Sequence, residues 1–144
     1  MASSLIDIQA WAAKGDSAAC LAMAHAYYYG GHGVDRNFSE AKHWLEKVDV
    51  LEDPDGYAAH LLGVISYKGL SLQSDHRKAY KHFRRAALRG STKGRIMVAV
   101  MQRDGDGTLK KPYAARLNFY RCSKSKDLSL LPRWFFAFES WVMK

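Results

Sequence analysis

Cysteine, proline and long apolar runs are all scarce in this chain, and each scarcity excludes a class of protein. Cys20 and Cys122 are its only cysteines, too few for a disulfide framework or a thiolate metal cage, so two reduced thiols are expected. Three prolines cannot form a stiff linker, and no Ser/Gly-rich or low-complexity stretch divides the chain, so residues 1–144 read as one domain. No stretch approaches the roughly 18 consecutive apolar residues of a membrane span. The N-terminal Met-Ala-Ser-Ser-Leu-Ile-Asp-Ile lacks the basic start and apolar core of a secretory signal, and a cytoplasmic protein is expected.

Acidic residues run short in the second half. Residues 1–72 hold 5 Lys/Arg against 9 Asp/Glu, whereas residues 73–144 hold 17 against 5, a net of +12. Such asymmetry concerns partners and encounter rates rather than fold, and it predicts attraction to an acidic partner. With 48% hydrophobic and 25% charged residues, the chain has the composition of an ordinary globular domain.

A repeat organises the chain. The first unit runs from Gly15-Asp-Ser-Ala-Ala19 through Tyr27 and Gly30-Gly-His-Gly33-Val34 to Phe38-Ser-Glu-Ala41-Lys-His-Trp44. The second runs from Ala58-Ala-His-Leu-Leu62-Gly63 to Lys78-Ala79-Tyr-Lys-His-Phe83-Arg-Arg85-Ala86-Ala87, closing at Gly90. The third runs from Gly90 through Gly105-Asp-Gly107 to Pro112-Tyr-Ala-Ala115-Arg-Leu-Asn-Phe119. The alanines Ala41, Ala79 and Ala115 recur at 38 and then 36 residues, a spacing of helical solenoids. Small residues (Ala18, Ala19, Ala22 and Ala26, then Ala58, Ala59 and Gly63) allow close helix approach. Asn37 with Glu40, and Ser74, Asp75 and Ser91, supply helix starts. Glycines at 30, 33, 69, 105 and 107 suit left-handed helix ends.

The set Ala-x-x-x-Leu-Gly, Gly-x-Gly-Val and Lys-Ala-x-x-Trp/Phe-x-x-Lys-Ala-Ala-x-x-Gly resembles the Sel-one-like repeat, a relative of the tetratricopeptide repeat. The resemblance covers about residues 15–123 and implies an all-α, right-handed α-α solenoid of about three helix pairs. The expected units are 15–53, 54–89 and 90–126, with an N-terminal capping helix at 3–14 and a C-terminal helix at 130–143, because end units need their apolar faces covered. The third unit departs most, replacing Leu-Gly by Val98-Ala99 and the aromatic by Asn118.

Sites of chemistry are not legible. The six histidines lack the paired spacing of a zinc site. Asp104-Gly-Asp106-Gly107 would need ligands at Gln102 and Tyr113 to hold calcium, so it reads as an inter-helix turn. Neither cysteine has a base close in sequence, and no Gly-Lys-Ser/Thr follows the Gly30–Gly33 stretch. No enzyme activity and no cofactor are expected.

Binding is the expected role. The resemblance implies that first helices line a concave groove. Helical phase assigns His25, Tyr28, Tyr29, Tyr57, His60, Tyr67, Lys68, Lys93 and Arg103 to it, while Ala19, Met23, Tyr27, Ala58, Leu62, Ser66 and Val98 pack. Arg77, Lys78, Lys81, Arg84, Arg85 and Arg89, with His82 among them, form a basic stripe on a second helix, suited to an acidic protein surface, a phosphate backbone or a membrane surface. The aromatic run Trp134 to Met143 suggests a further contact or a homodimer. The resemblance implies a protein-interaction module, here an adaptor or a small bacterial inhibitor such as a toxin-neutralising immunity protein, whose partner has an acidic surface. The alternative is nucleic-acid binding through residues 77–95.

Overall fold

Short polar residues stand ahead of the apolar segments and set where helices begin. In the computed structural model, which describes residues 4–125, Ser4 starts α1 (Leu5–Ala13) with a reciprocal capping box to Asp7. Asp16 accepts from the Ala19 amide at the start of α2 (Ser17–Tyr29). Asn37 accepts from the Ser39 and Glu40 amides at α3 (Phe38–Glu46). Asp75 caps α5 (His76–Leu88) and Ser91 caps α6 (Thr92–Asp104), whereas α7 (Pro112–Ser123) opens on a proline. Each such oxygen satisfies an amide that the helix itself cannot pair.

The start of α4 (Tyr57–Lys68) is built differently. Two short 3₁₀ turns, Val50–Glu52 and Pro54–Gly56, precede it, and Gly56 just before it takes φ +70°. The carboxylate that serves α4 belongs to Asp53, which reaches past the second turn to accept from the Ala58 and Ala59 amides at 2.8 and 3.1 Å. Asp53 is buried, and these two bonds are what make its burial tolerable.

Each helix packs on the next in chain order, from α1 on α2 to α6 on α7. Among the described residues there are seven α-helices and no strand, an all-α solenoid. The helices α2–α3, α4–α5 and α6–α7 pack as successive pairs. One apolar cluster joins α1 to α4 around Cys20, Met23, Leu45 and Ile65. A second gathers Ala79, Tyr80, Phe83, Val98 and Met101 from α5 and α6. A third holds Ala99, Ala115, Phe119 and Cys122. Both cysteines are free and buried, and burial pushes the Cys122 thiol up to about 11, so neither is poised to react.

The core corrects one column of the sequence alignment. The residue four places after each key alanine is buried: Leu45, Phe83 and Phe119 have 1%, 0% and 0% of their surface exposed. The third unit therefore keeps its aromatic, at Phe119. Asn118 does other work: its amide donates to Gln102 Oε1 at 3.0 Å, and Gln102 Nε2 donates to Tyr80 Oη at 3.1 Å. This polar chain ties α5, α6 and α7 together.

Helix contact is closest where side chains are smallest. A Cβ on Gly94 would stand 2.8 Å from the Ala86 Cβ, so the start of α6 lies directly on the end of α5. The C-terminal segment expected to be helical at 130–143, with its aromatic run and the homodimer contact suggested for it, lies outside the described residues.

Candidate protein-binding groove

Polar and aromatic side chains of the first helices α2, α4 and α6 meet at several points. On α2, the His25 and Tyr29 rings lie 4.7 Å apart and the Tyr28 and Tyr29 rings 4.8 Å apart. The Tyr57 phenol at the start of α4 shares a hydrogen bond with Tyr29. Burial, then this bond and the neighbouring Tyr29 and Tyr28, hold the Tyr57 hydroxyl far above its ordinary value. Burial and Tyr29 also raise Tyr28, with Arg36 opposing. These phenols stay neutral across the physiological range and act as hydrogen-bonding, wide-area contacts.

One turn along α4, His60 is half-buried, its ring 5.8 Å from Phe83. Burial first, and then the Lys93 ammonium on α6, lower its proton affinity. Thus His25, Tyr28, Tyr29, Tyr57, His60 and Lys93 follow one another from α2 across α4 to α6.

Three predicted groove residues are placed apart from these. Tyr67 stacks on His76 at 4.4 Å and hydrogen-bonds Asp106, which also pairs with His76 Nδ1 at 2.5 Å. This trio fastens the end of α4 to the start of α5 and to the α6–α7 turn, so Tyr67 is occupied in packing. Arg103 pairs with its neighbour Asp104 at 2.8 Å. Lys68 is exposed at the last position of α4.

A cavity of about 500 Å³ opens beside the aromatic cluster, lined by Ala18, Leu21, Ala22, His25, His32 and Tyr57 with Ser17, Glu52 and Pro54. The sequence reading missed most of this wall. Ala18 and Ala22, expected to seat another helix, are exposed and form the cavity floor, while Ala19, Ala24 and Ala26 take the packing role. His32 enters from the Gly30–Gly33 loop at φ +53° and also lines a smaller cavity of about 200 Å³ with Leu5, Ile8, Ala22 and Ala26. The glycines around His32 are the sequence signal for this loop, and by themselves they indicate a helix end rather than a cavity wall.

The basic stripe on α5 divides in two. Arg77, Lys78, Lys81, Arg84 and Arg85 are exposed. Arg89 is not available in the same way, because its guanidinium donates to the Leu51 and Asp53 carbonyls at 2.7 and 3.3 Å and clamps the connection into α4. His82 is half-buried, and its proton affinity falls to about 4, chiefly through burial and then through Arg85, Lys42 and Lys78. It is neutral at pH 7 and adds nothing to the charge of the stripe.

Among the described residues, no group of three or more His, Cys, Asp or Glu side chains is placed to hold a metal ion. No helix among them is long and apolar enough to cross a membrane.

Comparison with known proteins yields a family model that matches part of the chain, and a fold. The family described as Sel1 repeat matches residues 17–47 and 56–91, which are the α2–α3 and α4–α5 pairs. A crystal structure of a Sel1 repeat protein from Oxalobacter formigenes superposes with a TM-score of 0.72 at 24% identity, covering 85% of this chain and 90% of that one. A protective antigen of uropathogenic Escherichia coli with an SLR fold gives 0.75 at 18% identity, covering 96% of this chain but 33% of its own length. Cysteine rich protein B of Helicobacter pylori gives 0.61 at 20% identity, with 85% and 90% covered. No curated protein matches the chain.

Proposed function

We propose that this chain, a carrier of Sel1 repeats and so of a family that is generally a non-catalytic protein–protein interaction scaffold, captures one partner protein on its first-helix face. The observation that carries the proposal is the meeting of His25 and Tyr57, from two successive helix pairs, at one cavity, with the Tyr29 side chain against both of them. Tyrosine and histidine give large contact area with polar tips, the composition of interface hot spots. The small floor of Ala18 and Ala22 leaves room for an inserted side chain of the partner. Lys93 and the cations of the C-terminal half favour a partner whose surface is acidic, and they speed encounter with it.

A protein that acts by binding alone serves as an adaptor or as an inhibitor that masks its target in the cytoplasm; a toxin-neutralising immunity protein is the inhibitor form of this reading.

The test is capture of the partner from the native cell by the tagged chain, with washes at low and then high salt. One protein retained in stoichiometric amount is expected, together with its loss when Tyr29 and Tyr57 are both changed to Ala while helicity persists. Retention of the same partner by that double variant would overturn the groove.

A further inference from the structure

The second helices carry a surface that the groove does not use. Counting from the key alanines, Arg77, Lys81 and Arg84 of α5 occupy the same helical phase as Tyr113, Leu117 and Tyr120 of α7. All six are exposed. The α7 residues are large and apolar yet 86%, 49% and 55% accessible. Leu88, next along the α5 row, and Leu109, just before α7, are 84% and 78% accessible. In α3 the same phase holds Ser39, His43 and Glu46, so the feature belongs to the last two units.

Neither α5 nor α7 contains a single Asp or Glu. Lys110, Lys111, Arg121 and Lys124 extend the positive field around the aromatic row, and the Lys124 ammonium lies over the Tyr120 ring at 5.5 Å. A second copy of the chain would set cation against cation here, which disfavours self-association through this face.

We propose that the α5–α7 face is a docking surface for an anionic lipid bilayer. Protein surfaces mix both signs of charge, and a surface shaped to one of them ordinarily carries both signs in return. Two helices without an acid match a partner that is negative everywhere and has no positional pattern. Tyr and Leu with flanking Lys and Arg is the composition that settles at a headgroup boundary, where rings and aliphatic side chains dip into the interface and the cations remain among the lipid phosphates. Each Lys or Arg held near such a surface strengthens binding by about five-fold.

The experiment is co-sedimentation of the full chain with vesicles of mixed phosphatidylserine and phosphatidylcholine, against vesicles of phosphatidylcholine alone, at low and high salt. The chain is expected to sediment with the anionic vesicles and to be released by salt. Arg77→Gln with Arg84→Gln should weaken partitioning by about 25-fold. Tyr113→Ser, at the most exposed position, and Leu117→Ser should each weaken it with unchanged helicity, whereas Tyr29→Ala with Tyr57→Ala should leave it intact. The last comparison separates this surface from the groove, so either can fail alone. A chain that stays in the supernatant with anionic vesicles at low salt overturns the proposal, as does sedimentation that the α5 and α7 variants do not change. Tighter binding to a single-stranded oligonucleotide than to the vesicles, with the same dependence on Tyr113, would make this a nucleic-acid face instead.

Discussion

A Cβ placed on Gly63 would stand 2.6 Å from two carbons of the Phe83 ring, so α4 and α5 meet where one of them has no side chain and the other has its largest fully buried one. Phe83 has 0% of its surface exposed, and filling such a site stabilises a fold by about 1.5–3 kcal/mol. The absent side chain and the ring form a single packing unit.

Gly63→Leu should therefore cost about 1–3 kcal/mol, since even its Cβ would overlap the fully buried ring. Thermal unfolding followed by circular dichroism reads this as a lowered midpoint. A midpoint equal to that of the unmodified chain would mean that α4 and α5 do not touch at this position.

Asp53→Ala should destabilise by about 1–2 kcal/mol through loss of the cap on α4. Asp53→Asn keeps one acceptor oxygen and should recover part of that. Because Arg89 holds the Asp53 carbonyl, Arg89→Ala should also lower the urea midpoint. If Asp53→Ala and the unmodified chain unfold at the same urea concentration, the carboxylate does not cap α4.

Breaking the polar chain at its centre should cost more than removing it whole. Gln102→Leu strands the Tyr80 hydroxyl and the Asn118 amide, a loss of about 1–3 kcal/mol for groups left unsatisfied. Adding Tyr80→Phe and Asn118→Leu should restore much of it, since no polar group is then abandoned. A triple variant weaker than the single one would show that the three side chains do not act as one network.

Stability should depend on pH through two histidines. Burial depresses His82 from 6.5 to about 4 in the folded chain and lowers His60 as well. The unfolded chain therefore binds more protons between about pH 6.5 and 4, and the stabilising contribution is present above that window and is lost as pH falls through it. Urea titrations across the window should show this slope, and His82→Gln should flatten it. An unchanged slope in that variant would assign the titration to other groups.

The legible part of the fold was the part written locally. Asn37, Asp75 and Ser91 announce helix starts through their own side chains, and each caps the helix it precedes. The alanines Ala41, Ala79 and Ala115 mark positions that the next helix must approach, and all three have 0% exposure. In the candidate groove, His25 and Tyr29 are exposed and Tyr57 is half-buried against the apolar cluster of α1 to α4.

What the sequence could not decide is which of several similar faces a distant segment would cover. Ala18, Ala19 and Ala22 are chemically alike, yet only Ala19 is buried, because packing by the flanking helices leaves the other two beside an open cavity. Tyr67 looked like Tyr29 by phase but was claimed by His76 and Asp106, the latter 39 residues away in sequence. Arg89 looked like Arg84 but was claimed by carbonyls 36 and 38 residues earlier. Helix periodicity and caps are set by neighbours within about one turn, so the helices and their succession were legible locally. Which exposed side chains remain free for a partner depends on contacts that close only when the helices stack, and that was decided by the tertiary structure alone.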